Sequence, residues 1–388
     1  METATVDPLA GMRGLPPGPE LAAVLAGLDE SVLDEGERLD VIAAWSRVRA
    51  WAEARELRVT AVVAGPPTEE RPAAAALLGT RLHLPQVTAA ERLDLAWTLA
   101  TERPRTWRAL HAGRMSLAHA KVILDEVRNL SALDAGRIEL GALYDAPVRT
   151  AASLRRMLRR RVLAIDPDAQ TRRHADAVKD RTTWFRKLDD GMAEFGARLP
   201  LADAIRCATA VDEAARKLRA EDDGRTADQR RADALVDLLT GGEAPIVEII
   251  VRATDDQPVT IPGFGPLDTD SLGELVADST TIVLRPLGGP SPACSTYRPS
   301  TALDRWIRAT DPTCRFPHCT VKSADCDLDH VAPWHRGGTT CHSNLMPLCR
   351  EHHRLKTFHH WTPILHADRS VTWTDPTGHE HHVPPPDD

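Results

Sequence analysis

The chain has 388 residues, 42% hydrophobic and 27% charged, with a formal net charge of −8. This is an ordinary globular composition, with length for about two or three domains. No apolar run approaches the roughly 20 residues that span a bilayer, and the opening Met-Glu-Thr-Ala-Thr-Val-Asp lacks the basic-then-apolar pattern of a secretory signal. A cytoplasmic protein with no membrane partner is the expectation. Of seven cysteines, five crowd into one C-terminal stretch while Cys207 stands alone, which excludes a disulfide framework and points to metal ligation in a reducing compartment.

Residues 1–20 hold Pro8, Gly14, Pro16, Pro17, Gly18 and Pro19 and read as a disordered lead-in. From Asp34, with Glu37 three residues on as a capping box, Leu39, Ile42, Trp45 and Val48 recur at helical spacing. The tryptophans of this half read as core. Further helices are expected near 70–80, 88–102, 116–130, 132–144 and 149–164. Thr182–Leu188 and Met192–Leu199, joined through Asp189-Asp190-Gly191, read as a β-hairpin. Helices follow at about 201–220 and 226–240. Then come β-rich runs at Ile246–Ala253 and Thr280–Leu287 flanking a short helix near 270–277. Residues 21–287 thus form a mainly helical, α+β domain. Residues 288–298, Gly-Gly-Pro-Ser-Pro-Ala-Cys-Ser-Thr-Tyr-Arg, read as a linker, and a short helix follows at 300–309. Residues 299–375 form a second domain, and the tail 376–388, with Pro384-Pro385-Pro386, reads as disordered.

Two chemistries interleave in the second domain. Cys314, Cys319, Cys349 and His352 make two closely spaced pairs of soft ligands, which suits a closed tetrahedral zinc site. Cys326 and Cys341 are left over and read as small buried hydrophobes. Asp329, His330 and His353 form a second set that zinc geometry does not need. An oxygen ligand with two imidazoles suits hydrolysis around a divalent cation such as Mg²⁺ or Mn²⁺.

The string Leu328-Asp329-His330-Val331-Ala332-Pro333, Gly337-Gly338, Asn344-Leu345, Leu348-Cys349, His352-His353 and Lys356 resembles an HNH endonuclease, the ββα-metal nuclease module. The likeness covers roughly residues 311–362. It implies a DNA phosphodiesterase in which Asp329 and His353 hold the catalytic cation, His330 activates water, and Asn344 fixes the loop carrying that base. The second zinc knuckle departs from the family's usual Cys-x2-Cys, since His352 stands in for a thiolate without changing the ligand count. The first strand is expected at Asp327–Val331, a tight turn at Gly337-Gly338, and one helix from Ser343-Asn344 to about Lys356. The preceding region carries Gly113-Arg114, Ala118-His119-Ala120, Asp166-Pro167, Asp190-Gly191-Met192 and Gly263-Phe264-Gly265. In this it is similar to the helical domain of unknown function found ahead of HNH modules in a large bacterial family, often associated with mobile elements.

Charge argues in the other direction. Between 311 and 375 acidic and basic side chains balance at seven each, whereas DNA phosphates require local positive charge. The arginines of 155–161 read first as a solvated helix face. Arg354 and Lys356 suit either phosphate contact or the helix dipole. A zinc-stabilised nucleic-acid-binding or scaffold protein with an inactive nuclease module is therefore the alternative reading.

Overall fold

The computed structural model describes residues 9–386 apart from 10, 13, 189–190, 219–223, 242–245, 253–259, 262–264, 267–269, 271, 274–276, 278–280 and 288–292. The chain divides into two compact units, Met1–Asp176 and Ala177–Asp388. Among the described residues no helix is long and apolar enough to cross a membrane.

The first unit is helical. Its elements are α1 (Pro19–Ala26), α2 (Glu35–Ala64), α3 (Arg71–Leu82), α4 (Gln86–Trp97), α5 (Pro104–His111), α6 (Leu117–Val127), α7 (Ala132–Asp145), α8 (Ala151–Ile165) and the start of α9 (Ala169–Lys179). The Asp34 carboxylate accepts from the Glu37 amide and the Glu37 carboxylate from the Asp34 amide, so the capping box forms as read. The buried face of α2 differs from the expected stripe. Leu39 and Ile42 are 61% and 64% exposed, while Val41, Ala44, Val48, Ala54, Leu57 and Ala61 are buried. Alanines line much of that face, and small side chains at a contact let neighbouring helices approach closely. Leu9 and Met12 are buried with Leu21, Leu25 and Val48, so this part of the expected lead-in is packed core.

The arginine run of α8 and α9 has a structural partner. The buried Glu126 carboxylate takes Arg159 Nε at 3.2 Å and Arg173 Nη1 at 2.7 Å, while Arg155 reaches Asp125 at 3.1 Å and Arg161 reaches Asp145 at 2.9 Å. A buried carboxylate needs such cations, so the run is more than a solvated face.

In the second unit β1 (Thr182–Lys187) and β2 (Ala193–Arg198) pair antiparallel with Phe185 opposite Phe195. Gly191, at φ +69°, supplies the left-handed turn residue. Next come α10 (Leu201–Lys217) and α11 (Ala227–Thr240), tied by Arg231 Nε to Asp212 Oδ1 at 2.6 Å. The strands β3 (Ile246–Arg252), β4 (Thr260–Ile261), β5 (Gly265–Pro266) and β6 (Thr281–Leu287) form a sheet of order β5-β4-β3-β6, with β3 parallel to β6. The short helix expected near 270–277 lies largely outside the described residues.

Beyond α12 (Thr301–Thr310), β7 (Asp327–His330) pairs antiparallel with β8 (Leu345–Leu348), and α13 (Arg350–Phe358) follows. The single helix expected from Ser343 is therefore a strand followed by a shorter helix. Leu345, Met346, Pro347 and Leu348 are all buried, and a four-residue apolar run gives no period to tell strand from helix. The expected disordered tail also differs. β9 (Thr362–Leu365), β10 (Val371–Thr374) and β11 (Glu380–Val383) form an antiparallel sheet of order β11-β10-β9. Arg369, between β9 and β10, bonds to the Asp311 carboxylate and to the carbonyls of His342 and Leu345. That joins the sheet to the strand pair. Of the expected linker, 288–292 lies outside the described residues. Its remainder is tied down, with the Cys294 amide donating to the Thr340 carbonyl at 2.8 Å.

Candidate metal and catalytic site

Cys314 and Cys319 lie in the loop after α12, Cys349 is the N-cap of α13, and His352 sits in that helix's first turn. Their four donor atoms lie within 4.8 Å of one another. His352 Nδ1 is 3.4 Å from Cys314 Sγ and 3.1 Å from Cys349 Sγ. Tetrahedral zinc with its usual S and N bond lengths puts ligand atoms about 3.5–3.8 Å apart, so the donor set fits. The Phe316 ring stacks on His352 at 4.0 Å and 10°, and fully buried Trp361 and Trp373 meet Phe316 edge-on. Hydrogen bonds from Cys314 and Cys319 hold the Cys349 thiol well below its ordinary pKa. Bonds to Cys314 and Cys349, with burial, push Cys319 up. The cluster can hold a metal ion such as zinc. Cys326 is buried outside the four, its Sγ donating to the Lys322 carbonyl at 3.3 Å. Cys341, half-buried, meets the hydroxyls of Thr339 and Ser343 at 3.2 Å each.

Alternation along β7 sends Asp329 and His330 to opposite sides. Asp329 faces α13, where its Oδ1 lies 3.1 Å from His353 Nε2 and its Oδ2 accepts from Lys356 Nζ at 2.5 Å. Lys356 also donates to the His330 carbonyl. Burial raises the Asp329 pKa, but the bond from His353 and the Lys356 charge outweigh it and hold the carboxyl below its usual range. The same bond raises the His353 pKa.

His330 turns the other way and is 5% exposed. Its Nε2 lies 2.9 Å from Thr340 Oγ1, and its ring stacks under Tyr297 at 5.2 Å and 22°, with Trp334 tilted beside it at 5.8 Å. Burial keeps its pKa below the ordinary imidazole value, against the pull of Asp329, so the ring is neutral near pH 7.

Asn344 clamps the intervening loop. Its Oδ1 accepts from the Ala332 amide at 2.8 Å, and its Nδ2 donates to the carbonyls of Ala332 and Thr339 at 3.1 and 2.8 Å. Gly338 is required by space, since a Cβ there would lie 1.9 Å from the Ala332 carbonyl oxygen. The structure therefore brings Cys314, Cys319, Cys349 and His352 into one cluster and Asp329 and His353 into a second. His330 stands behind the second, with Asn344 holding its loop. Sequence reasoning missed Thr340 and Tyr297, which meet the His330 ring. Thr340 is one of two threonines after the glycine pair and carries no periodic signal, and Tyr297 lay in the presumed linker.

The family model described as a domain of unknown function (DUF222) matches residues 37–311. The chain is 27% identical to the uncharacterized protein Rv2100 of Mycobacterium tuberculosis, across 91% of this chain and 78% of that protein. It is 28% identical to the uncharacterized protein Rv3776 of the same organism, across 51% of this chain and 47% of that protein. No solved structure matches.

Proposed function

The chain belongs to the DUF222 family, and from the cluster beyond that domain we propose that it is a metal-dependent HNH endonuclease hydrolysing DNA phosphodiester bonds. The observation carrying this reading is the pairing of Asp329 and His353 across β7 and α13, with His330 facing away from them on the same strand. Two cis ligands of one octahedral cation, each at about 2.1 Å, sit about 3.0 Å apart. The 3.1 Å between Asp329 Oδ1 and His353 Nε2 suits that role. The order β7, β8, α13 also agrees with a ββα-metal module, and the Cys3His set supports a structural zinc beneath it.

A divalent cation on Asp329 and His353, Mg²⁺ or Mn²⁺, would neutralise charge on the phosphoryl group and the departing 3′-oxygen. The remaining work falls to the chain. His330 takes a proton from water as the water oxygen forms its bond to phosphorus. The P–O3′ bond breaks with its electron pair going to O3′, which is protonated from solvent. The imidazolium then returns its proton to solvent. A positioned base of this kind contributes about 10²–10⁴-fold. Lys356 neutralises the second Asp329 oxygen, and Asn344 with Gly338 holds the turn that follows His330.

The alternative, a zinc-stabilised nucleic-acid-binding or scaffold protein with an inactive module, draws on the balanced charge of 311–375 and on the carboxylates that partner the arginines of α8 and α9. Plasmid nicking by the full chain, with Mg²⁺, Mn²⁺ or EDTA, separates the two. Nicking that EDTA abolishes and Asp329→Ala weakens supports the nuclease. No nicking by zinc-loaded, folded protein with either cation supports the alternative.

A further inference from the structure

We infer that Thr340, anchored by the backbone carbonyl of Tyr297, is the positioning residue that fixes His330 as its Nε2–H tautomer and leaves Nδ1 as the basic nitrogen. The inference rests on the nuclease reading for its catalytic meaning, but the tautomer itself stands on hydrogen-bond counting alone. Thr340 is fully buried, and its Oγ1 meets two groups, the Tyr297 carbonyl at 3.3 Å and His330 Nε2 at 2.9 Å. A carbonyl oxygen can only accept, and a threonine hydroxyl has one proton. Donation to Tyr297 leaves only lone pairs facing His330, so the imidazole is the donor at Nε2. The reverse arrangement would point an Oγ1 lone pair at the carbonyl oxygen and leave the two oxygens in repulsion.

The Tyr297 backbone is itself held in place. Cys294 bridges to Thr340 through its amide, and the Tyr297 ring stacks on His330. Residues 294–297 therefore both cover the ring and set its protonation pattern. In the proposed reaction a neutral imidazole accepts the water proton only at its unprotonated nitrogen, so the wrong tautomer is catalytically silent even with the ring correctly placed.

The test uses the full zinc-loaded chain, selectively labelled with ¹⁵N-histidine, and the variants Thr340→Val and Thr340→Ser. Valine keeps the shape and loses both hydrogen bonds, whereas serine keeps the hydroxyl. Long-range ¹H–¹⁵N spectra should give His330 a protonated Nε2 in the wild type and in Thr340→Ser, and a mixture of tautomers in Thr340→Val. Cleavage by Thr340→Val should fall in kcat by about 10–100-fold, the range for residues that orient a reactive imidazole, with KM little changed, and serine should recover most of it. A wild-type His330 protonated at Nδ1 would overturn the inference. So would unchanged kcat in Thr340→Val when His330→Ala is inactive. If the wild type does not cleave DNA at all, the nuclease reading fails, and the spectra still decide the tautomer. Equal zinc content across the proteins checks that the variants fold.

Discussion

His330 is nearly buried, an unusual setting for a side chain that takes a proton from water. The setting makes sense if the ring must stay neutral and fixed in angle, since burial lowers its pKa and Thr340 and Tyr297 hold it. Replacing His330 by Ala should reduce cleavage by about 10²–10⁴-fold while zinc content and melting temperature stay close to wild type. Asp329→Ala and His353→Ala should behave differently, because they weaken cation binding, and raising Mn²⁺ should partly restore their rates. Asn344→Asp makes a sharper test of the loop clamp than alanine. The carboxylate keeps the bond from the Ala332 amide but turns its second oxygen toward the carbonyls of Ala332 and Thr339. In this partly exposed loop the carboxylate then faces two carbonyl oxygens and is repelled by them. A drop in melting temperature together with slower cleavage, each smaller in Asn344→Ala, is the expected pattern.

Among the elements, the knuckles and the C-terminal sheet depend on each other. Cys349 caps α13 and belongs to the Cys3His cluster proposed to hold zinc, so Cys349→Ser should lose metal and solubility together, because a structural metal site contributes folding free energy directly. Metal analysis of freshly purified protein should find about one zinc per chain. Arg369 carries the other junction. Asp311 is fully buried, and Arg369 and Arg315 are its cationic neighbours. Arg369→Ala leaves that carboxylate with Arg315 beside it at 3.7 Å and should cost up to about 3–5 kcal/mol, whereas Arg369→Lys, which keeps a second cation there, should be milder. Thermal unfolding of the two variants checks this. The tail was legible only as proline and histidine, because its strand β11 has four residues, none of them buried, and no apolar alternation. The first-unit helices were legible because caps and long periodic patterns are local signals. Their buried faces were less so, since Leu39 and Ile42 outrank Ala44 in hydrophobicity while helix packing selects the smaller residue. The clustering of Cys314, Cys319, Cys349 and His352 and the approach of Asp329 to His353 were legible from residue type and spacing. Thr340 was not, because its role depends on Tyr297, which only the folded chain brings beside it.

For the whole molecule, the match of the DUF222 model ends at residue 311, just before Cys314, the first residue of the Cys3His cluster. A fragment for isolated study should begin at about residue 293 and not at 300, because Cys294 and Tyr297 belong to the His330 environment. With seven acidic and seven basic side chains balanced over 311–375, that fragment should bind DNA weakly, with little sequence preference and a shallow salt dependence. Tighter binding by the full chain at two salt concentrations would locate the DNA contacts before 293. The arginines of α8 and α9 are weakened candidates, since Glu126, Asp125 and Asp145 already partner several of them. Equal affinity and equal salt slope for both proteins would assign the helical region another partner. We propose hydrolysis by His330 beside a cation on Asp329 and His353. Its most direct measurement is single-turnover cleavage of a labelled duplex by the full chain and by His330→Ala at matched zinc content, each with Mn²⁺ and with EDTA. Cation-dependent cleavage by the wild type and near-complete loss in the variant are expected. Equal cleavage by both, or cleavage that survives EDTA, would contradict the proposal.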